Sequence, residues 1–170
     1  MDFFETVLQR HSVRKFQEKT VEKEKLQKIL ETANSAPSAG NLQAYKIVVV
    51  EKKELKEKLS FAAFGQKFLV QAPLLLVFCS LPEKSEQRYG ARGSLYSIQD
   101  ATIAASYAQL AATALGLASV WVGAFDEEEV SKALNLEENM APISIIPIGY
   151  AAEKPFRAPR KSLKELVEKK

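Results

Sequence analysis

The chain has a single cysteine, Cys79, and a single histidine, His11, among 170 residues. One cysteine excludes an internal disulfide, and the pair leaves too few groups for a zinc site, a Ser-His-Asp triad or a Cys-His couple. Cys79 lies inside the apolar run LLLVFCS, where it reads as a space-filling side chain of a buried strand. His11, between basic residues, reads as a surface or hydrogen-bonding side chain. Glycine-rich fingerprints are missing too. Neither G-x-G-x-x-G nor the P-loop pattern occurs, which closes the ordinary Rossmann and P-loop routes to phosphate. No apolar run reaches membrane-spanning length, and the opening MDFFETVLQRHS lacks the basic and apolar regions of a secretory leader. A cytoplasmic location with no membrane partner is therefore expected. Neither charge dominates: 24 Lys and Arg face 21 Asp and Glu, interleaved in stretches such as EKKELKEK and KSLKELVEKK that read as solvated helix faces. No basic stripe with exposed aromatics appears, so nucleic acid is not an expected partner.

What remains is globular. The length suits one core of ordinary size, so residues 1–170 are expected to form a single domain. An opening helix over 3–9 carries Phe3, Phe4, Val7 and Leu8 on one side. Beyond Thr20, a possible N-cap, Leu26, Ile29, Leu30 and Ala33 recur at helical spacing. APSAGNLQAY reads as a loop, KIVVVE as a strand, KKELKEKLSFAAFG as a third helix, and KFLVQA as a short helix stopping before Pro73. LLLVFCS follows as a strand, and the polar residues 81–94 read as a loop long enough to serve as a lid. A small-residue helix over 95–115 is closed by Gly116; ASVWVGAF is a strand, DEEEVSKALNL a helix and PISIIPIGYA a last strand. The four strands lack tight hairpin turns, which points to a three-layer α+β sandwich.

With so few side chains able to act as nucleophile or acid, either the protein is no enzyme or a cofactor supplies the chemistry. RHSVRKF, residues 10–16, bears on that choice. In extended backbone Arg10, Ser12 and Arg14 project to one side, and two guanidinium forks with a hydroxyl suit a phosphate ester dianion. On these residues alone a solvated basic turn is the simpler reading.

RHSVRKF, APSAGNLQAY at 36–45 and GLASVWVGAF at 116–125, followed by the tail PIGYAAEKPFRAPRKSL, together resemble the nitroreductase family of FMN enzymes in order and spacing. The resemblance covers essentially the whole chain. It implies a central, mostly antiparallel sheet flanked by helices, and a homodimer with FMN at the interface, each site drawing on both chains. It further implies that NADH or NADPH reduces the flavin, which then passes electrons to a small-molecule acceptor such as a nitroaromatic or quinone.

Carried over residue by residue, Arg10, Ser12 and Arg14 resemble the phosphate and pyrimidine-edge group, with His11 beside them. Arg160 and Lys161 resemble the C-terminal contribution to the same phosphate. Pro37, Ser38, Ala39, Asn41 and Gln43 resemble the loop that approaches the flavin from the partner chain; for Asn41 alone a turn residue tolerating left-handed backbone is the competing reading. Val122, Gly123 and Ala124 resemble the segment beside the isoalloxazine ring, where the bare Gly123 permits close approach and a backbone N–H could meet flavin N5. Gln66 reads either as a contact to the pyrimidine edge or as a surface glutamine. Arg14 is the candidate for stabilising negative charge on the reduced ring, and no residue is an obligatory acid or base.

The chain departs from the family pattern at Ala44 and Tyr45, where many relatives carry proline and an aromatic, usually tryptophan. It is also shorter than typical relatives. Three rival readings stay open: a flavin-binding sensor or carrier without turnover, a flavin enzyme that dehalogenates or fragments flavin, and a structural dimerisation domain.

Overall fold

The computed structural model describes residues 1–154 and 156–170, so Pro155 of the tail motif lies outside the described residues. The first helix, α1 (Phe3–Gln9), opens on a reciprocal cap: the Asp2 carboxylate accepts from Glu5 N at 2.8 Å, and Glu5 accepts from Asp2 N. Next is α2 (Lys23–Asn34). Glu22, not Thr20, holds its cap position, and the Glu22 carboxylate accepts from the Tyr150 hydroxyl instead of capping the helix.

The chain then alternates between layers. In order come β1 (Tyr45–Val50), α3 (Lys53–Ala62), α4 (Phe68–Gln71), β2 (Leu74–Ser80), α5 (Pro82–Tyr89), α6 (Gly93–Ala114), β3 (Ala118–Ser119), α7 (Glu127–Leu134), β4 (Ala141–Gly149) and α8 (Leu163–Leu166). The sheet order is β1-β2-β4-β3, antiparallel throughout. Buried on both faces, β2 sorts its side chains by the twofold period of a strand. Leu75, Val77 and Cys79 join Leu59, Leu69 and Val130 from α3, α4 and α7. Leu74, Leu76 and Phe78 face Ile29 and Ala33 of α2 and Ala104, Ala105 and Ala108 of α6. This is the expected three-layer sandwich.

Three further expectations are corrected. Residues 82–89 are helical, not loop: Pro82 presets the first turn, and Gly93 lets the start of α6 lie against the α5 backbone, since a methyl there would overlap Ser85 and Glu86 main-chain atoms. The strand expected over 118–125 ends at Ser119 and resumes only as a single bridge between Val122 and Ile145. The tail expected as a helix through KSLKELVEKK is helical only over Leu163–Leu166, where Ser162 and Glu165 form a reciprocal cap. Among the described residues no helix is long and apolar enough to cross a membrane.

Candidate functional site

The basic segment is held extended by an apolar stitch. Val13 is fully buried (0% exposed) between the exposed Ser12 and Arg14, as in a strand, but the exposed Lys15 breaks the alternation and Phe16 turns back into the core. Ser12 pairs with Ser119, Val13 N donates to Ser119 O at 3.1 Å, and Phe16 pairs with Ala151. Arg14 N donates to the Glu153 carboxylate at 2.6 Å, and Ala152 N to Lys15 O at 2.8 Å. Residues 12–17 thus bridge β3 to the segment leaving β4.

The tail returns to the same place. The Arg157 guanidinium donates to Leu8 O at the end of α1, and Arg160 lies near enough to Arg10 to oppose its charge. Burial, and then the Arg160 charge, push the Arg10 guanidinium below its ordinary range. Among the described residues none of Arg10, Arg14, Arg160 or Lys161 has an ion-pair partner. Arg10 and Arg160, like charges brought near each other with no ion pair to either, fit an anion, and the Glu153 carboxylate beside the segment is engaged by Arg14 N. Beside them His11 Nδ1–H donates to Gln9 O at 2.7 Å, and His11 Nε2 is buried with no partner. His11 also lines a cleft of about 240 Å³ with Gln9, Leu117, Ala118 and Ala151. An orphaned ring nitrogen next to unpaired guanidinium groups suits the phosphate and hydroxyls of a nucleotide chain.

A second group forms around the 37–43 loop. Ala39 to Asn41 make one 3₁₀ turn, with Gly40, Asn41 and Gln43 at φ +54°, +57° and +49°. The Ser38 hydroxyl accepts from Gln43 N at 2.9 Å, and the Gln43 amide donates to Asn34 Oδ1 at 3.3 Å. From behind, the carboxylate of Asp100 in α6 accepts from Ala39 N at 2.9 Å and Ala44 N at 3.3 Å. From above, Arg88 donates to Gly40 O at 3.3 Å, and a side chain on Gly40 would overlap the Tyr89 hydroxyl. Pro37 and Asn41 remain exposed.

A third group joins Gln66 to the 122–124 segment: its amide donates to Ala124 O at 3.2 Å. Val122 spends both backbone groups on Ile145 and its side chain on the core, leaving Gly123 and Ala124 exposed. A methyl on Gly123 would meet only Trp121.

The first two groups occupy opposite corners of the sheet. The 37–43 loop leads into β1 at one edge, where Tyr45, Ser80 and Ala141 are in register; the basic segment pairs with β3 at the other edge, where Ser119 pairs with Ile148. Strand spacing and rise put them on the order of 25 Å apart.

The nitroreductase family model matches residues 7–67 and 60–150. The chain belongs to the nitroreductase family. This nitroreductase is 34% identical over 163 residues to the NAD(P)H FMN reductase of Bacillus subtilis, covering 88% of this chain and 66% of that protein. It is 30% identical over 195 residues to the NADH dehydrogenase of Thermus thermophilus, covering 98% of this chain and 95% of that one. Its fold superposes on B. megaterium NfrA2 with a TM-score of 0.90 at 30% identity, over 99% of this chain and 74% of that one.

Sequence reasoning missed Asp100, Arg88 and Glu153. Asp100 carried a signal, as the lone charged residue within the 93–114 stretch. Arg88 and Glu153 carried none, because their roles depend on which backbone the fold brings beneath them.

Proposed function

We propose that this nitroreductase is an FMN-dependent oxidoreductase that takes hydride from NADH or NADPH and delivers electrons to a small-molecule acceptor. The single observation that carries this reading is that the tail, fastened by the Arg157 guanidinium to Leu8 O, brings the Arg160 charge to bear on Arg10, with neither ion-paired among the described residues. Charge repulsion in the free protein becomes attraction once a phosphate dianion lies there. The orphaned nitrogen of His11, the residue next to Arg10, would be satisfied by a ribityl or phosphate oxygen.

When bound, FMN supplies the two-electron chemistry that no side chain of the chain can supply. Arg10, Ser12, Arg14, Arg160 and Lys161 would bind the phosphate and stabilise negative charge at the pyrimidine edge. The exposed Gly123 and Ala124 would flank the ring, with Gln66 holding that segment through Ala124 O. Pro37, Ser38, Ala39, Asn41 and Gln43 lie too far from the basic group to reach the same flavin within one chain. A second copy therefore contributes that loop, and the working unit is a homodimer. The exposed apolar side of α1 supports this, with Phe3 and Phe4 at 65% and 75% exposure beside Val7 and Leu8.

The test is a visible spectrum of the purified protein before and after anaerobic NADH or NADPH. A flavin band that bleaches on adding nucleotide is expected. A yellow protein that ignores both nucleotides leaves only binding, and a protein that stays colourless with added FMN overturns the reading.

A further inference from the structure

Four side chains at the junction of α5 and α6, two of which, Arg88 and Tyr89, also hold the 37–43 loop, form a cluster to which no ligand role has been given. Tyr89 and Tyr96 meet edge to face, with ring centroids 5.2 Å apart at 83°. Each ring carries an arginine: the Arg88 guanidinium carbon is 5.5 Å from the Tyr89 centroid and that of Arg92 is 5.4 Å from the Tyr96 centroid. Arg92 Nε–H also donates to the Tyr96 hydroxyl at 2.9 Å. Both arginines are solvent-exposed, and among the described residues neither is ion-paired. Glu86, two residues before Arg88 in α5, is engaged by the Ser94 hydroxyl. The cluster is fixed to the candidate site, since Arg88 donates to Gly40 O in the 37–43 loop.

Two preset guanidinium groups beside two aromatic faces match a ligand that carries both a phosphate and a flat base. Stacking on tyrosine removes rotamer freedom from each arginine before a ligand arrives, so little ordering is lost on binding. Resting on the reading of the chain as an NAD(P)H-using flavoprotein, we propose that Arg88, Tyr89, Arg92 and Tyr96 dock the adenosine end of the reductant and select NADPH through its 2′-phosphate. A monoester carries up to two negative charges on three open oxygens, whereas each phosphate of the pyrophosphate bridge carries one. A pair of arginines distinguishes the monoester, as arginine does at other NADP sites. The nicotinamide end would then lie toward the 37–43 loop to which Arg88 is fastened.

The experiment uses 2′,5′-ADP and ADP as probes, titrated calorimetrically into the purified protein and into Arg92→Glu and Arg92→Gln. Arg92 is exposed and makes no backbone contact, so neither substitution disturbs the core. The expected result is at least tenfold tighter binding of 2′,5′-ADP than of ADP, a preference reduced in Arg92→Gln and gone in Arg92→Glu. In parallel, the ratio of kcat/KM for NADPH to that for NADH falls at least tenfold in Arg92→Glu with bound flavin unchanged. Equal binding of the two probes, or a preference untouched in Arg92→Glu, overturns the proposal. Probe binding needs no flavin, so a protein that stays colourless with added FMN yet still prefers 2′,5′-ADP sinks the flavoprotein reading and leaves this site standing.

Discussion

Asp100, buried in α6 at 2% exposure, accepts a 2.9 Å hydrogen bond from the backbone N–H of Ala39. Its second oxygen accepts from Ala44 N, so one carboxylate spans the loop carrying Asn41 and Gln43. Asp100→Asn keeps one acceptor and turns an NH₂ toward the other donor. Hydrogen bonds to a charged group contribute about 1.5–3 kcal/mol, and an orphaned buried donor adds to the loss. The expected outcome is a fall of that order in unfolding free energy, faster hydrogen exchange at the Ala39 and Ala44 amides, and weaker FMN binding. Wild-type exchange at both amides in the variant would show that the loop holds itself.

Arg10 and Arg160 give a prediction that changes sign with the ligand. The Arg160 charge disfavours a charged Arg10, so in flavin-free protein Arg160→Gln removes a repulsion. With FMN present, on the proposed reading, the same substitution would remove a charge-assisted contact to phosphate worth about 1.5–3 kcal/mol, tenfold to a hundredfold in affinity. Thermal unfolding should show a midpoint unchanged or raised without FMN and lowered with it. A midpoint lowered equally in both states would mean that Arg160 supports the fold and not the ligand.

Much of the fold was legible because it rests on period and composition. The apolar runs of β1, β2 and β4 mark strands, and Pro73 stops α4 where expected. The helix α5 was hidden because only Ser85 of its eight residues is buried, leaving no apolar stripe in the sequence to betray a turn. β3 was overdrawn for the opposite reason: Trp121, Val122 and Phe125 look like strand residues, but only Val122 finds a partner, in Ile145. The basic motif was legible as a pattern. Its meeting with Arg160 depends on the tail folding back over α1, a relation between residues at opposite ends of the chain that no local signal carries.

Cys79 predicts a silent thiol. Burial in the α3, α4 and α7 face of the sheet pushes it from 9.0 to about 12. A folded-state value raised above the unfolded one means stability is full below pH 9.0 and is lost as pH rises toward 12, where the unfolded thiol ionises first. Ellman's reagent at pH 8 should label the protein only after denaturant is added. Between pH 7 and pH 10 the wild type should lose stability that Cys79→Ala retains. Rapid labelling of the native protein would place the thiol in a far wetter setting.

Phe3 and Phe4 pack edge to face at 5.5 Å yet are largely exposed, an arrangement that orders two aromatic rings without removing them from water. The helix beneath them touches α6, whose Leu95, Ile98 and Tyr107 are exposed as well. A second copy covering these side chains would bury apolar surface at about 25 cal/mol per Å², and each buried phenylalanine contributes roughly 1.5–3 kcal/mol. Phe4→Glu puts a charge into that contact without touching the chain's own core, since Thr6 is the buried residue of α1. Light scattering should report a dimer for the wild type and a monomer for the variant, and flavin content should fall with it if the site draws Asn41 from one chain and Arg10 from the other. A Phe4→Glu monomer that keeps its full complement of FMN would place the entire binding site within a single chain.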